Sequence, residues 1–254
     1  MQHFVPVSRN LKNLFNSKRI HVQADGKYDM WAGTISFDDN LRVEKNTALI
    51  GTNGQLINIG SHSYLQSTLA LDTQIGRYSS IAPGVSLMAL DKPPIGRFSN
   101  SPLTYSDGQE MAIFIEYWEK FRREPYEPTH TPLMIGNDVW IGTEVLLKDG
   151  IRIGDGAVIK ERAVLTTDAP AYAIMAGNPA QVIAYRFPDN VIDSLLQLRW
   201  WDYRYQSFAT VNGNDSIEQF IDKVSNLKQA GQLELVEDEA LTAYDILSSE
   251  LIPD

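Results

Sequence analysis

The 254-residue sequence contains no cysteine, which excludes disulfides, thiolate metal sites and a cysteine nucleophile. Cations are also scarce, since 22 Lys and Arg face 32 Asp and Glu and give a formal net charge of −10. A nucleic-acid partner is disfavoured because phosphate contacts need clustered Lys and Arg. No apolar run of ~18 residues occurs and residues 2–15 lack a signal-peptide core, so we expect a cytoplasmic protein with no membrane partner.

A six-residue repeat dominates the stretch from residue 133 to residue 169. Large aliphatic residues fill every sixth position: Ile135, Ile141, Leu147, Ile153, Ile159 and Leu165. A second row runs two residues ahead and contains smaller side chains: Leu133, Val139, Val145, Ile151, Ala157, Ala163 and Ala169. Neither a helix nor an alternating strand has this period. One short strand and one corner per repeat predict a parallel β-helix whose coils have three sides.

The repeat continues towards the N-terminus after a long interruption. Four further aliphatic residues keep the spacing: Leu69, Ile75, Ile81 and Leu87. Ile57 falls on the same phase and Ser63 is an exception. Because a whole number of repeats separates the two blocks, we predict one β-helix over residues 41–187 with a loop excursion at 89–132. The aromatic content of this loop argues against disorder, and we expect it to shape a pocket.

The two ends of the chain lie outside the repeat. Residues 1–40 give no clear fold. Helical spacing of apolar residues predicts a first C-terminal helix from Pro188-Asp189, a second from Asp215 that stops at Gly231, and a third from about Val236 to Leu251. We interpret residues 188–254 as a helical cap, which a solenoid needs to cover its last coil.

Four stretches of the sequence carry a resemblance to a known family: IGNDVWIG, GIRIGDGAVI, AYAIMAGNPAQVI and RWWDY. Over roughly Ile75 to Asp202 the chain resembles the hexapeptide-repeat acyltransferases, nearest the xenobiotic and saccharide O-acetyltransferases. This resemblance implies a mainly β fold, a left-handed parallel β-helix, whose hand runs against the usual crossover preference. It also implies a homotrimer with sites between subunits, acetyl-CoA as the acyl donor, and a saccharide or small antibiotic-like hydroxylated acceptor.

The same resemblance implies a set of cofactor-binding positions along one coil edge. Carried over position by position, they are Trp140, Gly142, Thr143, Ala157, Lys160, Arg162, Pro179, Ala180 and Arg186. The first three would line the pantetheine arm, and Ala157 would offer backbone contacts one coil later. The last three would lie near the adenine and phosphate end. The positive charge that a polyanion needs in an acidic protein is available from Lys148, Lys160, Arg162 and Arg186.

The sequence departs from the family at the catalytic base. The family's histidine stands at the opening of the long loop, where this chain has LMALDKPPIGRF. Acyl transfer to a hydroxyl needs a base that works near neutral pH. His130, where the loop re-enters the coil, is one replacement, and Asp91 is another if burial raises its pKa. The remaining alternative is a non-catalytic β-helix that binds a saccharide or serves as a scaffold. Residues 133–169 contain no histidine, so no metal site is predicted.

Overall fold

The computed structural model describes residues 1–23, 33–88, 95–105, 124, 129–237 and 239–250. The chain forms two compact units, one of Met1–Leu87 together with Pro132–Asp254, and one of Met88–Thr131. None of the helices in the described part of the chain has the length and apolarity that crossing a bilayer requires.

Short parallel strands make up three faces in the first unit. Face 1 contains β4 (Arg42–Val43), β6 (Asn58–Ile59), β8 (Gln74–Ile75), β11 (Met134–Ile135) and β14 (Arg152–Ile153). Face 2 contains β2 (Ile20–Gln23), β5 (Thr47–Ile50), β7 (Tyr64–Leu65), β9 (Ser80–Ile81), β12 (Trp140–Ile141), β15 (Val158–Ile159) and β17 (Ala173–Gly177). Face 3 contains β10 (Ser86–Leu87), β13 (Leu146–Leu147) and β16 (Val164–Leu165). From β8 onward the chain visits the three faces in turn, and the sheets are parallel throughout these coils, which confirms a mainly β fold with parallel sheets.

The aliphatic repeat row forms the core inside the coil. Ile135 lies between Ile75 and Ile153 in the ladder of face 1, so equivalent residues stack on one another from coil to coil. Ile141 and Leu147 are fully buried on the other two faces. Burying one such side chain contributes roughly 1.5–3 kcal/mol to the free energy of unfolding, which makes the stacked row the main source of stability.

The predicted register is wrong in the first coils. Ile59 and Leu65 occupy the inward strand positions that the repeat assigned to Ile57 and Ser63. The side of the coil between Leu65 and Ile75 is two residues shorter than its counterpart later in the chain, so the phase shifts there. Ile57 is still buried, with 1% of its surface exposed, because it holds the companion position just before the strand.

The N-terminal segment packs against the first coil. β1 (Gln2–Pro6) pairs antiparallel with β3 (Thr34–Asp38). Between them in sequence lies α1 (Arg9–Lys18), whose first turn is capped by the Ser8 hydroxyl accepting from the Leu11 N–H. Leu11 and Phe15 are buried in the same hydrophobic core as the coil. This segment therefore closes the N-terminal end of the core and adds β2 to face 2.

The C-terminal segment covers both ends of the coil. β18 (Ala180–Tyr185) folds back antiparallel on β17. α2 (Asp189–Leu198) and α3 (Ile217–Gln229) follow and pack on the last coil, close to the predicted helices. The third predicted helix is shorter, because β19 (Leu241–Thr242) pairs antiparallel with β4 and only α4 (Ala243–Ser249) is helical. α4 contacts α1, so the final segment covers the first coil rather than the last.

The second unit contains a short 3-10 helix at Pro102–Thr104. The guanidinium of Arg97 donates to the carbonyl oxygens of Thr104 at 2.5 Å and Glu124 at 2.8 Å. These contacts join the described residues of this unit, and the expected role of the loop in shaping a pocket stays a prediction.

Candidate functional site

Most of the predicted cofactor residues meet at one corner of the coil, between faces 2 and 3, which we call the 2–3 corner. It consists of residues 142–145, the equivalent residues 160–163 one coil later, and the turn at 177–180. The predicted residues found there are Gly142, Thr143, Lys160, Arg162, Pro179 and Ala180. Trp140 lies on the outer side of β12, partly exposed, and leads into this corner.

Successive corners approach each other closely at Gly142. A Cβ added there would lie 2.7 Å from the backbone nitrogen of Glu161, so only glycine fits without a shift. The Gly142 N–H donates to the Ile159 carbonyl at 2.9 Å, and the Arg162 N–H donates to the Thr143 carbonyl at 2.9 Å. The result is a tight backbone step that leaves the side chains of Thr143, Lys160 and Arg162 exposed to solvent.

The charged groups at this corner are solvated. The Arg162 Nε lies 2.7 Å from the Glu144 Oε2, with 79% and 61% of the two side chains exposed. A solvent-exposed ion pair of this kind contributes little to the free energy of unfolding, and Arg162 can exchange Glu144 for another anion. The chain reverses direction at Gly177–Ala180, where the Asn178–Pro179 peptide bond is cis. The corner therefore combines exposed cations, exposed backbone turns and the nearby ring of Trp140, which together suit a long flexible ligand.

Two predicted cofactor residues lie elsewhere. Ala157 and Arg186 are at the opposite edge of face 2, at the corner between faces 1 and 2, which we call the 1–2 corner. β17 spans the distance between the two corners, roughly 13 Å at the usual rise per strand residue. The Ala157 carbonyl accepts from the Trp140 N–H at 2.9 Å and its N–H donates to the Gly154 carbonyl at 3.2 Å. The N–H and the carbonyl of Ala157 are thus both hydrogen-bonded within the coil.

Arg186 is held by an ion pair at the 1–2 corner. One guanidinium nitrogen donates to the Asp138 Oδ2 and to the Gly156 carbonyl, each at 2.8 Å. Burial raises the pKa of Asp138, while the charge and hydrogen bond of Arg186 act against that rise. The guanidinium carbon also lies 5.3 Å from the ring centre of Tyr172, a cation–π contact. Arg186 is therefore already engaged with a carboxylate and a ring.

A column of left-handed residues forms this 1–2 corner, a feature that the sequence reasoning missed. One residue per coil has positive φ: Asn46, His62, Tyr78, Asp138, Gly156 and Tyr172. A Cβ on Gly156 would lie 2.4 Å from the Tyr172 ring, so the glycine makes room for that ring. The signal available in the sequence was a polar, aromatic or glycine residue three positions before each inward residue of face 2. Polar corner residues are common enough to be interpreted as solvated turns.

The histidine in this column has an aromatic environment. The His62 ring stacks on Tyr78 at 5.1 Å between centroids and meets the edge of Tyr205 at 5.3 Å. Burial lowers the pKa of His62, and the nearby Glu44 partly opposes this. The imidazole is therefore mainly neutral at physiological pH. It lies at the 1–2 corner, across face 2 from Gly142.

The two candidate catalytic bases lie in the loop excursion. His130 is exposed and belongs to the second unit. Asp91 lies outside the described residues. Neither is therefore placed relative to the 2–3 corner. In the described ranges, no three His, Asp or Glu side chains are grouped in a way that could hold a metal ion.

Comparison with known proteins identifies the family. No protein-family model matches the chain. A chloramphenicol acetyltransferase of Klebsiella aerogenes is 51% identical over 131 residues, which is 51% of this chain and 59% of that protein. A probable macrolide acetyltransferase of Lysinibacillus sphaericus is 31% identical over 156 residues, 59% of this chain and 83% of that protein. The chain belongs to the hexapeptide-repeat acetyltransferase family.

The coverage of this family relationship is partial. The chain spans between 34% and 62% of the length of three chloramphenicol acetyltransferases that it matches. Among solved structures, a hexapeptide-repeat acetyltransferase of Vibrio cholerae aligns with 72% of this chain and 85% of its own at 18% identity, with a TM-score of 0.39.

Proposed function

We propose that this hexapeptide-repeat acetyltransferase is an acetyl-CoA-dependent O-acetyltransferase that acts on a saccharide or a small hydroxylated, antibiotic-like acceptor. The observation that carries the proposal is the 2–3 corner, where six of the nine predicted cofactor residues come together beside Trp140. Relatives named chloramphenicol and macrolide acetyltransferases support the reaction class.

The donor substrate would lie along the 2–3 corner. Its pantetheine arm would run past Trp140, Gly142 and Thr143. Its phosphates would lie near the exposed cations of Lys160 and Arg162, and its adenine near the turn at Pro179 and Ala180. Ala157 and Arg186 are left out of this proposal, because the first uses both backbone groups inside the coil and the second is paired with Asp138.

The transfer step needs one proton acceptor. A base removes the proton of the acceptor hydroxyl as its oxygen attacks the thioester carbonyl, and the thiolate of CoA leaves and is protonated. The carbon–sulfur bond breaks and a carbon–oxygen ester bond forms, so no further co-reactant is required. His130 and Asp91 are the two residues proposed for this role, since the loop opening carries no histidine.

The proposal extends to the hand of the coil, the assembly and the compartment. We propose a left-handed coil, a cytoplasmic location and a homotrimer with sites between subunits. The assembly is supported by Tyr64 on face 2 and by Val182, Ile183 and Tyr185 on β18, which extends that face, since these side chains are 39–60% exposed. The outer side of face 1 instead carries one apolar residue, Met134, among the polar Arg42, Asn58, Gln74 and Arg152. An apolar sheet face is typical of contacts between copies, whereas a polar one is typical of contact with water.

A charge reversal tests the cofactor corner. Lys160→Glu places a carboxylate beside the phosphates of CoA, so we expect CoA affinity to fall about tenfold at low ionic strength, measured by calorimetry. Lys160→Arg keeps the charge and is the matched control. Equal CoA affinity in both variants and the parent would remove the 2–3 corner from the proposal.

Light scattering tests the assembly. A trimer mass is expected for the parent, and a smaller mass for Ile183→Asp.

The second candidate function is a non-catalytic β-helix that binds a saccharide or serves as a scaffold. It is favoured by LMALDKPPIGRF, which lacks the family histidine. Release of free CoA thiol from acetyl-CoA, with chloramphenicol and maltose as trial acceptors, separates the two. CoA binding without release of thiol from acetyl-CoA in the presence of any acceptor favours the scaffold.

A further inference from the structure

A cavity of about 740 Å³ lies at the 1–2 corner, across face 2 from the proposed transfer corner. Its base is formed by Asp138, Tyr172 and Arg186 of the coil. Its walls come from α2, α3 and the connection between them, much of which lies beyond the region that resembles the family. A volume of this size is typical of sites for small molecules.

The walls of the cavity are aromatic and fixed by ring contacts. Trp200 and Phe208 each meet Phe220 edge to face, at 5.9 Å and 6.4 Å between centroids. Tyr205 stands at the rim with 53% of its surface exposed. Because the rings hold one another, the cavity keeps flat apolar surfaces available to a ligand.

The base of the cavity offers one accessible carboxylate. The Tyr172 ring forms part of the base with 1% of its surface exposed, so its hydroxyl is closed off from a ligand. Asp138 engages Arg186 through a single carboxylate oxygen in the described contacts, which leaves acceptor capacity at the second.

The charges around the cavity cancel. Arg186 is matched by Asp138, and Asp215 is matched by Lys223, whose Nζ lies 2.7 Å from Oδ1 and 2.8 Å from Oδ2. A polyanion such as CoA would find no uncompensated cation among these groups. Apolar rings combined with a few hydroxyl, amide and carboxylate groups instead suit a neutral ring that carries hydroxyls.

We propose that this cavity binds a neutral pyranose or its glycoside, at a site separate from the 2–3 corner. The sugar's C–H face stacks on the aromatic wall and one of its hydroxyls donates to the second carboxylate oxygen of Asp138. The proposal does not rest on acetyl transfer, because the cavity and the transfer corner share no residue.

The test titrates the full chain with four methyl glycosides, those of glucose, galactose, mannose and N-acetylglucosamine, followed by saturation-transfer NMR. We expect at least one to saturate at millimolar concentration. Ala209→Trp fills the cavity from an exposed wall position and should abolish binding. Tyr244→Phe, at a tyrosine 78% exposed elsewhere, is the control and should bind as the parent does.

Three outcomes would overturn the proposal. The first is no saturation by any of the four glycosides. The second is binding that survives Ala209→Trp unchanged, which would put the sugar elsewhere on the chain. The third is displacement of the bound glycoside by CoA in the parent and loss of CoA binding in Ala209→Trp, which would make the cavity part of the donor site. Loss of acetyl transfer alone leaves the proposal standing, since transfer is assigned to the other corner.

Discussion

Arg77 binds both carboxylate oxygens of Glu44 through two hydrogen bonds of 2.7 Å each. Glu44 follows β4 and Arg77 follows β8, so the pair joins residues two coils apart. The same guanidinium donates to the Trp201 carbonyl at 3.3 Å and lies 3.5 Å from an Asp202 oxygen. One arginine therefore ties the early coils to the segment that forms the wall of the 1–2 cavity.

Removing this arginine should destabilise the protein. Both side chains of the pair are about 20% exposed, so Arg77→Ala leaves a largely buried carboxylate without its partner. We expect the free energy of unfolding to fall by roughly 3 kcal/mol, measured by urea denaturation. Arg162→Ala breaks the exposed pair with Glu144 and should change it by less than about 1 kcal/mol. Equal effects of the two variants would contradict the role given to Arg77.

The same pair makes stability depend on pH. Burial alone would raise the pKa of Glu44, but hydrogen bonds from Arg77 and Ser61 outweigh it and hold that pKa below its ordinary value of 4.5. A carboxyl with a lowered folded-state pKa adds stability above its unfolded pKa and loses it as the pH falls through the folded one. We therefore expect the stability difference between the parent and Glu44→Gln to be constant near pH 7 and to shrink below about pH 4.5.

Chemical denaturation at a series of pH values checks this. His62 also loses stabilising effect on acidification, because burial lowers its pKa, but its window begins near its ordinary value of 6.5 and so lies above that of Glu44. Glu44 partly opposes the lowering of the His62 pKa, so Glu44→Gln also shifts this window, and the comparison is therefore made in a His62→Gln background that removes it. A gap that stays constant down to about pH 3 would show that Glu44 has an ordinary pKa in the folded chain.

Gly156 should resist substitution. Gly156→Ala puts a methyl group 2.4 Å from a carbon of the Tyr172 ring, at a backbone φ of +71° that other residues seldom adopt. We expect a loss of at least about 2 kcal/mol in unfolding free energy, because the ring must leave its place beneath Arg186. Gly213→Ala is the control, since nothing lies within 4 Å of its added Cβ. A neutral Gly156→Ala would mean that the Tyr172 ring is free to move.

The coil could be predicted because one physical requirement repeats along the chain. Every strand between Ile135 and Leu165 needs one aliphatic residue inside, so a single missing match would have been visible. The prediction was wrong at Ile57 and Ser63 because one side of the early coil is two residues shorter, which moves the inward strand position from Ile57 to Ile59. Ile57 nevertheless stays buried, because it falls in the companion row two positions before the strand residue. Spacing alone does not reveal which of two buried positions lies in the strand.

The 2–3 corner could be predicted only through resemblance, and the 1–2 corner could not be predicted. Asp138 and Arg186 meet because β18 reverses direction and returns the chain to the edge where β17 began. The spacing of these two residues in the sequence does not indicate that turn. The Tyr172 ring fits there only because Gly156 precedes it by one coil, a relationship that is visible once the coil has been built.

The last prediction concerns the base. If the chain transfers acetyl groups, one residue must accept the proton of the acceptor hydroxyl, and such assistance contributes roughly 10²–10⁴-fold to the rate. His130→Ala and Asp91→Asn each remove one candidate while leaving the 2–3 corner intact. We expect one variant to lose kcat by that factor with unchanged CoA affinity, measured by release of free thiol and by calorimetry.

The pH profile separates a base from a residue that merely supports the loop. The parent's kcat/KM should rise with pH through the pKa of the free base, and that rise should vanish in the variant that lacks it. A structural loss would lower the whole profile and keep its shape. If both variants keep the parent's rate and profile, neither residue is the base. Parent protein that binds CoA and transfers acetyl to no acceptor would instead favour the scaffold, since the coil and its donor corner would then persist without the proton acceptor that the reaction requires.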